Sequence, residues 1–229
     1  MSYAAIIFDL FGTLVDNWPA LERTELLASM AQELGVSDAA LYAIWDAHRF
    51  QRDTGAFASV EAAVSAACHG LNVAANEDSI ARAAAAYSVF ADHCLTPRTD
   101  AVATVQQLRA LGLRVGLISD CGPPTPELWA ETPLAEYFDV TTFSCSAGLK
   151  KPDPRIYLTT CEALGVQPAD CLYVGDGGSR ELTGAESVGM TALMIRTPSE
   201  EIIAPLRVDA DFWVGPRIRS LSQVLEHLR

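Results

Sequence analysis

The sequence predicts an α/β protein in which helices cover a parallel β-sheet and a helical segment is inserted after the first strand. Two observations support this fold class. Short apolar runs alternate with helical patterns along most of the chain, which is typical of parallel sheets. Between the first and second apolar runs, helical patterns occur alone. The chain has 229 residues, of which 50% are hydrophobic, so it can form one sizeable core and a smaller insert.

Five apolar runs have the length and composition of strands that are buried on both faces of a sheet. They lie at residues 4–8, 114–118, 140–143, 171–174 and 191–195, and a sixth strand is predicted at residues 212–214. Helical patterns accompany the strands at residues 99–111, 154–164, 179–188 and 216–228. This alternation predicts a parallel sheet with helices between its strands.

The predicted insert is an all-helical domain of residues 17–93, and the α/β core comprises residues 1–16 and 94–229. A first helix of the insert ends at Gly35 and is indicated by an apolar stripe at Leu21, Leu26, Leu27, Met30 and Leu34. Ser37 and Ser59 are suitable N-cap residues for two further helices. An alanine-rich helix is predicted at residues 81–90. We expect the insert to stand over one edge of the sheet.

Composition narrows the possible partners. The formal net charge is -13 and the sequence pI is about 4.6, and no basic patch interrupts this balance, so nucleic acid is not an expected partner. A small anionic substrate remains compatible, because a local site can be positive on an acidic protein. No apolar run is long enough to span a membrane and the N-terminus does not resemble a secretion signal. We expect a cytoplasmic monomer or homodimer without a membrane partner.

Two aspartates follow predicted strands at the edge where ligands bind in open α/β sheets. Asp9 comes directly after the first strand, and Asp176 follows the strand that ends near Gly175. Carboxylates at this edge can hold a hard cation such as Mg²⁺, which prefers oxygen ligands. A carboxylate can also attack phosphorus to give an aspartyl-phosphate. An ordinary turn or helix-capping role is the alternative for either aspartate taken alone.

Two further loops contain groups suited to a phosphoryl oxygen. Ser119 ends the second strand, where its hydroxyl and the following backbone amides could bind an anion. Lys151 precedes Pro152, which restricts the lysine backbone to an extended form just before a helix. A cation fixed in this way can offset the charge on phosphoryl oxygens. Lys150 is expected to be a solvated surface lysine.

Taken together, these segments resemble the four motifs of the haloacid dehalogenase superfamily of hydrolases, in order along the chain. They are residues 9–13, Ser119 with Asp120, the Lys-Pro-Asp-Pro segment at 151–154, and Gly-Asp-Gly at 175–177 followed by Glu181. The resemblance implies a Rossmann-like three-layer core and a helical cap at residues 17–93. It also implies Mg²⁺ as cofactor and a small anionic substrate.

The resemblance further implies a role for each matching residue. Asp9 would be the nucleophile and a metal ligand, and the other metal ligands would be the backbone carbonyl of Phe11 and the Asp176 carboxylate. Glu181 would hold water molecules of the metal, and Thr13 would brace the first loop. The phosphoryl group would lie against Thr13, Ser119, Asp120 and Lys151. Asp120 is unusual there, because asparagine is common at this position in the family and a carboxylate repels a phosphoryl group unless it points away.

Phe11 departs from the phosphatase pattern, which places a second aspartate two residues after the nucleophile to protonate the leaving alkoxide. The site therefore uses another acid or favours leaving groups that need little protonation. Three functions stay open: a Mg²⁺-dependent phosphohydrolase of a small metabolite, a 2-haloacid dehalogenase-type C–halogen hydrolase acting through an aspartyl ester, and a non-catalytic phosphate-binding protein. Dehalogenating relatives carry an aromatic residue at this position, but they lack the metal loop that Asp176 represents here.

Aromatic and basic residues alternate in one part of the insert, at Trp45, Arg49, Phe50, Arg52 and Phe57. The spacing places Trp45, Arg49 and Arg52 on one helical face. This face either contacts substrate or packs the insert together, with its arginines in solvent. Arg23, Arg49 and Arg52 are the arginines available to seat a substrate anion.

Overall fold

A computed structural model describes residues 3–197, 207, 209 and 212–228. Within them, one sheet of six parallel strands has the order β3-β2-β1-β4-β5-β6. The strands are β1 (Ala5–Phe8), β2 (Arg114–Ser119), β3 (Val140–Phe143), β4 (Cys171–Gly175), β5 (Thr191–Ile195) and β6 (Arg217–Ile218). The predicted α/β class with a parallel sheet is confirmed, and the first five strands lie where the apolar runs predict them.

Strand β1 occupies the centre of the sheet, and its register aligns the edge that carries the predicted site. Phe8 at the end of β1 pairs with Leu117 of β2 and Val174 of β4. Asp9, Ser119 and Asp176 are therefore carried to the same edge, at the carboxyl ends of three adjacent strands.

Helices cover both faces of the sheet, which gives the core three layers. On one face, α6 (Ala101–Ala110) and the 3₁₀ helix Leu221–Leu228 pack against side chains such as Ile6 and Phe8. On the other face, α9 (Pro154–Leu164) and α10 (Glu181–Ser187) pack against residues such as Ile7. Successive side chains of a strand point to opposite faces, so the continuous apolar run of β1 supplies both cores.

The segment between β1 and α6 forms helices around an apolar cluster of its own. They are α1 (Ala20–Leu34), α2 (Asp38–Ala47), α3 (Arg49–Asp53), α4 (Val60–Gly70) and α5 (Glu77–His93). Ser37 and Ser59 accept hydrogen bonds from the third residue after each, as N-cap residues do, and α1 ends at Gly35 with a φ of 68°. We keep the name helical insert for residues 17–93, and the domain boundaries at its ends stay a prediction.

Two predictions near the C-terminus are wrong. Residues 212–214 are not a strand: Phe212 and Val214 are highly exposed, and only Trp213 between them packs into the core. The last strand is instead β6, because Met194 and Arg196 of the β5 region donate backbone hydrogen bonds to Pro216 and Ile218. The helix predicted at 216–228 consequently begins only at Leu221 and is a 3₁₀ helix.

Two short α-helices were not predicted: α7 (Thr125–Ala130) and α8 (Ser144–Ala147). Each has at most six residues, too few for a helical period to stand out in the sequence. In the part of the chain that the structure describes, no helix has the length and apolar character to cross a membrane.

Helix α6 offers a test of the core with an internal control. Leu108 is fully buried against the sheet, whereas Leu111 at the end of the same helix is 64% exposed. Leu108→Ala should lower the free energy of unfolding by about 2–5 kcal/mol, because it removes buried methyl groups and leaves a cavity. Leu111→Ala should change it by less than about 0.5 kcal/mol. Urea denaturation of both variants measures the difference, and equal losses would contradict this packing.

Candidate active site

A pocket of about 220 Å³ lies at the carboxyl edge of the sheet, between the core and the helical insert. From the core, its lining includes Asp9, Phe11, Asp120, Lys151, Asp176 and Glu181. Six of the eight residues predicted for the site therefore share one pocket. The other two, Thr13 and Ser119, are fully buried next to it and are not among the lining residues.

The Lys151 ammonium group lies between two carboxylates. Its Nζ atom is 2.5 Å from Asp9 Oδ1 and 2.6 Å from Glu181 Oε2, and all three side chains are buried. Burial by itself lowers the pKa of Lys151, but the Asp9 and Glu181 carboxylates outweigh it and raise that pKa well above its usual value. Lys151 is therefore a permanent positive charge at the floor of the pocket.

Asp9 is held in one orientation by donors on both of its oxygens. Thr13 Oγ1 donates to Asp9 Oδ2 at 3.0 Å, while Lys151 occupies Oδ1. Burial raises the pKa of Asp9 to about 6, against the lowering effect of the Lys151 ammonium group. Above that pH Asp9 is an ionised, oriented carboxylate, which is the state that a nucleophile or a metal ligand requires. Thr13 thus helps to orient the Asp9 carboxylate, and the bracing role of Thr13 in the first loop stays a prediction.

Glu181 is bound on both oxygens as well. Its Oε1 accepts from the Gly177 amide at 2.9 Å, and its Oε2 accepts from Tyr173 at 2.9 Å in addition to Lys151. Burial and the neighbouring Asp9 raise the pKa of Glu181, whereas Lys151 opposes that shift. The loop after β4 therefore closes on Glu181 and holds it beside Asp9.

Asp176 completes an acidic cluster that fits a hard cation. Oxygen atoms from Asp9, Asp176 and Glu181 all lie within 4.8 Å of one another. An all-oxygen donor set of this size suits Mg²⁺. Asp176 itself accepts from the Gly178 amide at 2.8 Å and from Asn17 at 3.0 Å, and Arg207 lies 3.0 Å away.

Gly12 allows the first loop to approach this cluster closely. Its φ is 84°, and a Cβ atom at this position would lie 2.0 Å from Asp176 Oδ2. Only glycine combines this backbone conformation with the absence of a side chain. The loop that carries Asp9 and Phe11 can therefore pass directly beside Asp176.

Asp120 and Lys150 differ from the picture that the sequence suggests. Asp120 Oδ1 accepts from the Lys151 amide at 3.0 Å, and its Oδ2 lies 3.3 Å from Lys150 Nζ. Lys150 also contacts Asp53 Oδ2 at 2.5 Å, so the expectation of a solvated lysine is wrong. Asp53 belongs to α3, and its contact with Lys150 links the helical insert to the core beside the pocket. Asp120 thus braces the lysine loop, and Lys150 offsets its charge.

Ser119 lies at the predicted strand end, but its role is not visible in its contacts. The hydroxyl is buried and has no hydrogen-bond partner among the described residues. The side chain that bonds to the following loop is Ser144, which accepts from the Cys121 amide at 2.9 Å. The assignment of Ser119 to phosphoryl binding stays a prediction.

The helical insert supplies aromatic and basic side chains to the pocket. They are Trp18, Arg23, Trp45, Arg49, Arg52 and Tyr87, and α3 adds one acidic residue, Asp53. The prediction that one helical face carries Trp45, Arg49 and Arg52 is wrong in detail, because α2 ends at Ala47 and α3 begins at Arg49. The chain nevertheless brings Arg52 over the Trp45 ring, 4.2 Å from its centroid.

Sequence reasoning missed Asn17, Asp53, Tyr87 and Arg207. Asn17 and Arg207 belong to no motif, and their contacts with Asp176 join distant parts of the chain. Tyr87 lies within a helical stripe and is indistinguishable there from a packing residue. Asp53 directly follows Arg52, inside the segment of basic and aromatic residues described above. This position is the one sequence signal that could have indicated Asp53.

Comparisons with known proteins agree with this geometry. A family model described as haloacid dehalogenase-like hydrolase matches residues 3–189. Glyceraldehyde 3-phosphate phosphatase of Methanopyrus kandleri is 30% identical over 65% of this chain and 65% of that protein, just under two thirds of its length. Phosphoglycolate phosphatase of Yersinia pseudotuberculosis is 31% identical over 81% of this chain and 80% of its own. The solved 2-haloacid dehalogenase of Pseudomonas syringae pv. Tomato is 25% identical, with a TM-score of 0.70 and coverage of 100% and 98%.

Because Gly12 lies so close to Asp176, adding a single methyl group at this position should strongly weaken Mg²⁺ binding. Gly12→Ala should lower Mg²⁺ affinity at least about tenfold, because the new Cβ displaces the Asp176 carboxylate. Gly35→Ala is the matched control: Gly35 also has a positive φ, of 68°, but nothing lies within 4 Å of its Cβ position. Titration calorimetry measures both variants, and circular dichroism confirms that they fold. Equal Mg²⁺ affinity in the two would contradict the described contact.

The raised pKa of Asp9 predicts that protons compete with Mg²⁺. Below about pH 6 the Asp9 carboxyl group becomes neutral, so the apparent Kd for Mg²⁺ should rise by up to about tenfold for each pH unit lost. Calorimetric titrations at pH 7, 6 and 5 measure this slope. An affinity that stays constant from pH 7 to pH 5 would show that Asp9 does not bind the cation.

Proposed function

The chain belongs to the haloacid dehalogenase-like hydrolase family, and on this premise we propose that it is a Mg²⁺-dependent phosphohydrolase of a small metabolite. The proposed reaction proceeds through an aspartyl-phosphate on Asp9. One observation carries the proposal: a buried ammonium group and three carboxylates converge on one small pocket. This arrangement combines a nucleophile with positive charge for the phosphoryl oxygens.

Asp9 is the proposed nucleophile because both of its oxygens are fixed and its carboxylate lines the pocket. A carboxylate attacking a phosphoryl group faces charge repulsion, which fixed positive charge must offset. Lys151 supplies part of that charge at a fixed position. Ser119 and the amides that follow it would complete the phosphoryl site at the end of β2.

Asp9, Asp176 and the Phe11 backbone carbonyl are the proposed ligands of Mg²⁺, with Glu181 holding its water molecules. When bound, the cation would neutralise phosphoryl oxygens and orient the phosphate. The protein residues meanwhile keep the carboxylates in place: Asn17 and the Gly178 amide orient Asp176, and Lys151 separates Asp9 from Glu181.

A small substrate is proposed from the pocket and from the relatives. The pocket volume of about 220 Å³ leaves room for only a few heavy atoms beyond a phosphate group. Two relatives are phosphatases named for phosphoglycolate and glyceraldehyde 3-phosphate, which are compounds of this size. Positive side chains from the insert, among them Arg23, Arg49 and Arg52, line the same pocket and favour an anion.

Hydrolysis of a carbon–halogen bond through an aspartyl ester is the second candidate. Phe11 beside the nucleophile and the arginines of the insert favour it, and one solved structure of similar fold is a 2-haloacid dehalogenase. Asp176 weighs against it, because alkyl halide displacement needs no cation and gains nothing from a third carboxylate.

Activity assays with Asp9→Asn separate these functions. With Mg²⁺, the wild-type protein should release inorganic phosphate from small phosphorylated metabolites, and EDTA should abolish that release. Asp9→Asn should reduce it by at least about 10³-fold, because an amide is not a nucleophile here. Asp46→Asn is the matched control, since Asp46 is exposed on α2 and does not line the pocket.

The alternatives have their own signatures in the same assays. Halide release from 2-haloacids in the presence of EDTA would replace the phosphohydrolase with the C–halogen hydrolase. Binding of phosphorylated compounds without turnover of any of them would identify a non-catalytic phosphate-binding protein.

A further inference from the structure

We propose that the substrate is an acyl phosphate, whose leaving group departs as an unprotonated carboxylate, and that Arg52 stabilises this departing anion. The inference rests on the proposed phosphohydrolase function and adds the chemical class of the substrate. It follows from the groups around the pocket: the carboxylates there are already engaged with donors or cations, while, among the described residues, the buried guanidinium group of Arg52 has no carboxylate within ion-pair distance.

The carboxylates that line the pocket are all occupied by donors or cations. Asp53 and Asp120 both lie against Lys150. Glu181 accepts from Lys151, Tyr173 and the Gly177 amide, and Asp176 accepts from Asn17 and the Gly178 amide. Each of these carboxyl groups thus already accepts from a donor or contacts a cation, and none is placed as a free proton donor for a leaving oxygen.

The wall next to Asp9 is aromatic. Phe11 lies two residues after Asp9, and its ring packs edge-on against Trp18, with 5.8 Å between centroids. Trp18 in turn contacts Tyr87, 5.6 Å away, and Tyr87 contacts Trp45 at 5.3 Å. No histidine is among the described residues that line the pocket. An alkoxide leaving toward this wall would find no strong acid, and alkoxides are poor leaving groups without one.

Tyr87 is the side chain that could still protonate a leaving alkoxide, because its hydroxyl has a proton and its ring lines the pocket. Burial raises the pKa of Tyr87 to about 12. A group this weakly acidic gives up its proton reluctantly, although it can still donate a hydrogen bond. The experiment below therefore includes Tyr87→Phe.

Arg52 supplies positive charge on the insert side of the pocket. Its guanidinium group is buried, stacks on Trp45 and donates to the Trp45 carbonyl oxygen. Among the described residues, no carboxylate lies within ion-pair distance of Arg52, since the adjacent Asp53 is paired with Lys150 and Arg49. A guanidinium group remains charged even when buried, and its planar donors match a carboxylate. An anion in the pocket would supply the missing counter-charge.

The reaction balances without a protein acid. Asp9 attacks phosphorus, the bond from phosphorus to the leaving oxygen breaks, and its electron pair departs with a carboxylate beside Arg52. Water then attacks the phosphorus of the aspartyl-phosphate, Asp9 regains its carboxylate, and both protons of the water leave on dihydrogen phosphate. Leaving groups that are stable anions at neutral pH need no further proton.

A graded set of substrates tests the substrate class. We expect kcat/KM with Mg²⁺ to fall from acetyl phosphate through 4-nitrophenyl phosphate and phenyl phosphate to glycerol phosphate. Phe11→Asp adds a carboxyl group beside Asp9 and should raise the ratio of glycerol phosphate to acetyl phosphate hydrolysis by about 10²-fold or more. Similar wild-type rates for glycerol phosphate and acetyl phosphate would overturn the inference and leave the phosphohydrolase intact. In that case, if Tyr87→Phe hydrolyses glycerol phosphate much more slowly than the wild type but acetyl phosphate at the same rate, Tyr87 is the acid.

Arg52→Gln tests the stabilised leaving group. It should lower kcat for acetyl phosphate by about 10²-fold, as removal of one charge-stabilising donor does elsewhere, and Arg52→Lys should recover part of the loss while keeping the buried charge. Arg82→Gln is the matched control, since Arg82 is an exposed arginine of the insert that pairs with Glu33. A higher KM for acetyl phosphate with unchanged kcat in Arg52→Gln would overturn this role. If no phosphorylated compound is turned over, the proposed function itself fails.

Discussion

The pair of contacts that Lys151 makes with Asp9 and Glu181 is the interaction on which the site depends. Three buried charged groups meet there, and the ammonium group lies 2.5 and 2.6 Å from the two carboxylates. Removal of one member of a buried ion pair typically costs about 3–5 kcal/mol, because the remaining charges stay uncompensated. The three members come from separate parts of the fold: Asp9 follows strand β1, Glu181 begins helix α10, and Lys151 lies in the loop before α9. The same charge that compensates the acids in the resting site is available to a phosphoryl group.

The parallel sheet explains why these residues meet although they are far apart along the chain. Phe8 pairs with Leu117 and Val174 across three adjacent strands, so the residues that follow each strand emerge side by side. Gly12 then lets the first loop approach Asp176, and Lys150 joins the insert to the core through Asp53. Two different surfaces result: charged groups at the sheet edge, and an aromatic wall with arginines from the insert. The charged edge has the groups that the proposed phosphoryl transfer needs, and in our proposal the opposite wall determines which leaving group can depart.

Much of the fold and of the pocket lining could be predicted from the sequence, because buried strands appear as apolar runs and ligand-binding residues follow them. Continuous apolar runs identified five strands, and the residues directly after three of them gave Asp9, Asp120 and Asp176. Lys151 was indicated by the proline that follows it, just before a helix. Contacts between distant segments could not be predicted in this way. The partnership of Lys150 with Asp53 depends on how the insert packs over the core, and the break between α2 and α3 at His48 changes which face Arg52 presents. Strand β6 was missed because its two residues are fixed by pairing with β5 rather than by an apolar pattern of their own.

The central claim is that Asp9 forms a covalent bond to phosphorus, and peptide mapping of acid-quenched turnover mixtures tests it most directly. With Mg²⁺ and a rapidly hydrolysed phosphoryl compound, mass spectrometry should find one phosphoryl group on the peptide that contains Asp9, and hydroxylamine should remove it as it removes acyl phosphates. A phosphoryl group on any other residue, or turnover with no labelled peptide under conditions in which phosphoryl-enzyme formation outpaces its hydrolysis, would contradict the account.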